Sequence, residues 1–155
     1  MYFTERFRWI RYHSEIDQKP AMISMDHALK EELDGQNFRY LGWVQLKAKP
    51  SPEGLMDISE TRRRVMELLP QIQEVLANMP CHLAGLTVQK GEVMFLFYCS
   101  QRVRKTSVFR PFIKHHAQWN IQIGQVVDEA WETYTELLEP SREDRNHWRS
   151  FIFPA

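Results

Sequence analysis

Glycine is scarce in this sequence, six residues in 155. None belongs to a phosphate-cradling glycine loop or a Gly-x-Ser-x-Gly elbow, which excludes the common nucleotide-loop and α/β-hydrolase sites. No His-Glu-x-x-His occurs either, so the zinc-protease pattern is excluded as well. Cysteine is scarcer still: Cys81 and Cys99 are the two present, a usage that fits a reducing compartment and reads as two half-buried free thiols. No apolar run approaches the ~18 residues of a membrane span. No signal-peptide core follows the opening Met1–Arg6, so the expectation is a cytoplasmic chain with no membrane contact. Net charge is also missing, 20 bases against 20 acids, so the total says nothing about partners.

What is present is bulk. Apolar residues make up 43% of the chain, with nine Phe, five Trp and five Tyr, enough for a dense core without disulfide or metal. The length fits one domain over 1–155. Charge is unevenly placed. Between Val93 and Val127 there is no acid, yet Arg102, Arg104, Lys105, Arg110 and Lys114 fall there. Between Asp128 and Asp144 lie seven acids and one base, Arg142.

Periodicity gives the order of elements. Arg6–His13 alternates as a strand, Ile16–Pro20 reads as a turn, and Ala21–Met25 resumes as a second strand. A short helical turn capped by Asp26 runs past Leu29 and Leu33 towards Gly35. Phe38–Ala48 is a strand with apolar groups on both faces, which suggests a central strand or a second contact surface. Asp57-x-x-Glu60 resembles a capping box, and Val65, Leu68, Leu69, Ile72, Val75 and Leu76 follow at helical spacing, with Pro70 among them. His82–Gln89 and Glu92–Cys99 form a hairpin about Lys90-Gly91, with Ala84, Leu86 and Val88 expected on one face. With a two-residue loop Cys81 and Cys99 are offset; with a three-residue loop they face each other. A second helix within Arg102–Ala117 sets Val108, Phe109, Phe112 and Ile113 towards the sheet. Trp119–Val127 is a sixth strand, Asp128 caps a third helix with Trp131 and Tyr134, and Ser141 opens a last one. The fold class is α+β: a mainly antiparallel sheet of about six strands, two to four helices mostly on one face, and ferredoxin-like elements.

Several segments resemble the bacterial family known as domain of unknown function 695. Trp9-x-x-Tyr12 resembles its opening strand, and Asp17-Gln18-Lys19-Pro20-Ala21-Met22-Ile23 resembles its Asp-Gly-Lys-Pro-Ala-x-Ile hairpin. Leu41-Gly42-Trp43-Val44 is similar to its Leu-x-Trp-Val strand, and Pro50-Ser51-Pro52-Glu53-Gly54-Leu55 to its Pro-x-Pro-x-Gly-Leu loop. Phe95-Leu96-Phe97-Tyr98 and Tyr134-x-x-Leu137-x-x-Pro140 fit later positions. The chain departs from the pattern at Gln18, where the family favours glycine, and in its basic second helix. Members are sometimes joined to domains similar to the regulator of ribonuclease E activity B, which implies regulatory or binding work.

The candidate binding residues are the basic set Arg102, Arg104, Lys105, Arg110 and Lys114, with Trp43 and Pro52 as a second locus. Arg62-Arg63-Arg64 adds a further basic cluster. Against binding stands a solvated helix face paired internally with Glu132, Glu136 and Glu139. His115-His116 point about a third of a turn apart on a helix and chelate one ion poorly, so no metal and no cofactor is expected. The leading expectation is a non-enzymatic interaction or regulatory domain with a protein partner or a homodimer. The alternatives are RNA binding through the basic helix, and an enzyme assembled from Tyr12, Trp43, His82 and Glu60.

Overall fold

A strand that is apolar on both faces needs cover above and below, and two such strands form the middle of this molecule. The computed structural model of the chain describes residues 9–33, 37–103 and 105–138, with 105–107 described by backbone alone. The elements are β1 (Trp9–Ile16), β2 (Lys19–Asp26), α1 (Leu29–Glu32), β3 (Tyr40–Ala48) and α2 (Ile58–Ala77), followed by β4 (Cys81–Gln89), β5 (Glu92–Cys99), α3 (Lys105–His115), β6 (Trp119–Val127) and α4 (Glu132–Leu138). This is the order that periodicity predicts. The last helix expected from Ser141 lies outside the described residues.

All six strands join one antiparallel sheet in the order β1-β2-β4-β5-β3-β6. From β3 to β6 the chain runs β-α-β-β-α-β with spatial order β4-β5-β3-β6, which is the ferredoxin-like arrangement. The β1–β2 hairpin extends that sheet beyond β4. Its two-residue turn is Asp17-Gln18, both in the left-handed region at φ 53° and 66°. That geometry matches the twist of the strands and suits glycine, the residue the resemblance puts at position 18. β1 therefore continues to Ile16, further than its alternation alone suggests.

The two long helices share one face. Asp57 caps α2 by accepting the Glu60 N–H at 2.8 Å, and α2 buries Val65, Leu68, Ile72 and Leu76. With Phe109 and Phe112 of α3 these close over Val44, Leu46, Phe95 and Phe97. The short helices cover part of the opposite face. Leu29, Leu33, Trp131 and Tyr134 pack there on Ile10, Met25, Leu96 and Tyr98. Asp128 caps α4, accepting from the Glu132 N–H at 2.9 Å and from the Tyr98 hydroxyl at 2.7 Å. Trp131 stacks flat on Tyr98, ring centroids 3.8 Å apart, and its backbone takes a positive φ of 56° to do so. Burial pushes the Tyr98 phenol far above its ordinary range, and the Asp128 hydrogen bond and charge add to this.

Two glycines admit rings. A Cβ on Gly42 would come within 2.3 Å of the buried Phe97 ring, and one on Gly124 within 2.0 Å of the Trp43 indole. Three expectations are corrected. Ala84 does not share a face with Leu86 and Val88, because the β4–β5 register shifts between Leu83 and Gly85. Ile113 does not point into the sheet; it is 36% exposed. The third concerns the cysteines, which are not free thiols. The Lys90-Gly91 loop has two residues, but the same register shift restores direct pairing, and Cys81 and Cys99 are joined by a buried disulfide. Cysteine count therefore ceases to argue for a reducing compartment.

Replacing both cysteines by alanine should lower the unfolding free energy by about 3 kcal/mol, the loop-entropy value for a closure of this size. Urea denaturation without reductant measures it; an unchanged midpoint would mean that the wild-type thiols are free. Gly42→Ala should cost about 1–3 kcal/mol in the same assay, because Phe97 has no room to retreat.

Candidate functional site

The basic residues divide by position. Arg110 and Lys114 stand one helical turn apart on α3, both exposed. Arg102 is exposed just before α3, its guanidinium 5.3 Å from the Tyr40 ring centroid, while Arg39 lies 5.1 Å from the same ring. Arg39 is also 3.6 Å from the Glu129 carboxylate. Among the described residues no carboxylate comes within ion-pair distance of Arg102, Arg110 or Lys114. The reason is topological. Glu132 and Glu136 sit on α4, which packs on the opposite face of the sheet from α3. Internal pairing with those two acids does not occur. Arg104 and the Lys105 side chain lie outside the described residues, as does Glu139.

The cluster on α2 behaves differently. Arg63 and Arg64 both hydrogen-bond Glu60, at 2.7 and 3.1 Å, and pull its exposed carboxyl down to about 2. Arg62 lies near Arg11, whose pKa is lowered first by burial and then by that neighbouring charge. The Arg62–Arg64 run is thus largely occupied within its own surface.

Between α2 and α3 runs an open groove of about 580 Å³. Val75, Val108, Pro111 and Phe112 give it an apolar floor, and Gln71, Glu74, Asn78 and His115 a polar rim. The neighbouring His116 reaches Gln71, with Nε2 and Oε1 2.6 Å apart, and stacks obliquely on Phe112. With Oε1 accepting, Nε2 carries the proton, and Nδ1 is a buried atom with no hydrogen-bond partner. Protonating Nδ1 would bury a second N–H with no acceptor. Burial, and secondarily the charge of His115, hold the His116 pKa below its ordinary value. Sequence reasoning singled out the histidine pair but missed Gln71 and Asn78, which only the apposition of two distant helices brings to it.

The second locus does not assemble. Trp43 lies mid-strand on the face away from α2 and α3, folded over Gly124. Pro52 is exposed in a tight turn closed by the Ser51–Gly54 bridge, and Leu55 beyond it lies over Gly91. Among the described residues no hydrogen bond or ring contact links that turn to Trp43. Of the scattered enzyme candidates, Glu60 stands on the α2 side of the sheet, whereas Tyr12 and Trp43 stand on the other. Among the described residues no three of His, Cys, Asp and Glu converge as metal ligands. No described helix is long and apolar enough to cross a membrane.

Fold and surface together define a ferredoxin-like α+β protein with an added N-terminal hairpin, a basic outer helix and a groove between its long helices. The chain belongs to the family of unknown function DUF695, whose pattern it matches over residues 8–139. No curated protein and no solved structure matches it.

In a proton NMR titration His116 should titrate below the ordinary 6.5 for histidine, and His115→Ala should move it part of the way back. A folded-state pKa below the unfolded one means that the unfolded chain takes up the proton first. This residue therefore costs stability as pH falls through about 6.5, and none above it. A midpoint for His116 at or above 6.5 would refute the arrangement.

Proposed function

We propose that this chain is a non-enzymatic interaction module that holds an acidic protein partner against the outer side of α3. The observation that carries the reading is the exposure of Arg102, Arg110 and Lys114 without a carboxylate partner among the described residues. Of the acids that follow them in sequence, Glu132 and Glu136 lie on α4, across the sheet. Exposed cations left unpaired in this way favour association with an acidic surface and speed its encounter. The joining of family members to domains similar to the regulator of ribonuclease E activity B is in keeping with regulatory work. The Cys81–Cys99 bond is of a kind that persists in oxidising compartments.

RNA binding is the second reading, supported by the Tyr40 ring flanked by two guanidinium groups. The two separate in solution. Fluorescence anisotropy with labelled poly-L-glutamate should show binding that weakens by about tenfold or more in the Arg102→Glu/Arg110→Glu/Lys114→Glu variant. Failure to bind poly-L-glutamate, with a uridine oligomer bound in a log-linear salt-dependent manner, would replace the acidic partner by nucleic acid.

A further inference from the structure

The two edges of the sheet are built differently. β1 carries Arg11, His13 and Glu15, the charged side chains by which natural sheets discourage further strand pairing. β6 carries no such device. From Trp119 to Val127 it has no charged residue and no proline, and its register against β3 is uninterrupted over nine residues, with no bulge. From Asn120 to Val127 its backbone pairs, among the described residues, only with β3. Among the described residues no backbone group pairs with its outward row of N–H and C=O groups. Val126 and Val127 are 48% and 46% exposed at its far end.

The helix above this edge shows what it suits. Val108, Pro111, Phe112 and His115 face α2 across the groove. At 100° per residue, Arg110 and Ile113 then point to the opposite side of α3, away from α2, with Lys114 beside them. In the sheet α2 covers β4 and α3 covers β6, so away from α2 means over the outer edge. Among the described residues no further strand occupies this edge, and above it on α3 stand Arg110 and an exposed isoleucine, with Lys114 turned outward beside them. A second copy fits this poorly. Antiparallel pairing of β6 with itself would set the two basic flanks of α3 against each other.

We infer that β6 is a strand-addition site, and that its occupant is an extended segment of a partner protein with acidic side chains on the face turned towards α3. Main-chain hydrogen bonds to β6 supply the affinity, and Arg110 and Lys114 read the alternate acidic positions. This deepens the reading of the chain as an interaction module and rests on it.

The test uses a capped eight-residue peptide of alternating glutamate and valine, titrated against the full chain by calorimetry. It should bind, a lysine–valine counterpart should not, and Arg110→Glu/Lys114→Glu should weaken the complex by about tenfold or more. Two further peptides carry backbone N-methyl groups, one on every glutamate and one on every valine. A strand added to an edge turns one set of its N–H groups to the sheet and the other to solvent. One methylated peptide should therefore bind like the parent and the other should fail. Equal binding by both overturns strand addition, yet leaves an acidic partner standing if poly-L-glutamate still binds. No binding of the parent at millimolar concentration overturns the inference in the same way. A dimer in sedimentation, with β6 amides protected from exchange, would assign the edge to a second copy and overturn it.

Discussion

Burial of β3 and β5 on both faces is the constraint to which the other elements answer. Val44, Leu46, Phe95 and Phe97 need one cover, Leu41, Leu96 and Tyr98 another. The two long helices, which the β-α-β crossovers place on the same side, provide the first. Nothing in a ferredoxin-like core provides the second. The additions do so: the β1–β2 hairpin widens the sheet, and α1 and α4 lie across the face that this widening completes. The positive φ at Trp131 belongs to this solution, since a residue in that conformation costs of order 1 kcal/mol or more and needs compensation, here stacking on Tyr98 and an indole N–H donated to the Phe38 carbonyl at 2.8 Å.

The same two-sidedness separates charge. A chain of zero net charge folds so that α3, in its basic block, and α4, in its acidic block, lie on opposite faces of a sheet. Neighbours in sequence become strangers in space, because β6 carries the chain from one end of the sheet to the other before α4 begins on the far face. Screening at physiological ionic strength extends over about 8 Å, so the two surfaces present themselves to solvent as nearly independent fields.

How far the sequence discloses this is clear from particular residues. The element order, the two apolar faces of β3 and the Asp57 cap follow from spacing and side-chain chemistry, because each depends on neighbours within a few positions. The Cys81–Cys99 bond depends on a bulge at Ala84-Gly85, an irregularity that alternation does not signal, since Ala84 and Leu86 look like members of one apolar row. The pairing state of Arg110 and Lys114 hinges on which face α4 takes, a tertiary matter. Gln71 and His116 are 45 positions apart and meet only when α2 and α3 pack side by side. Trp43 and Pro52 are near in sequence, a nearness that an extended strand undoes at roughly 3.3 Å per residue.

The Trp43 ring lying over Gly124 has a consequence for the whole of β6. On that face of the strand Asn120, Gln122 and Val126 carry side chains, and Gly124 alone leaves the hollow that the indole fills. A slip of two residues in either direction would drive the ring into Gln122 or Val126. The indole therefore acts as a detent. It holds the outermost strand at a single setting, so its outer margin offers the same sequence of donors and acceptors every time the chain folds.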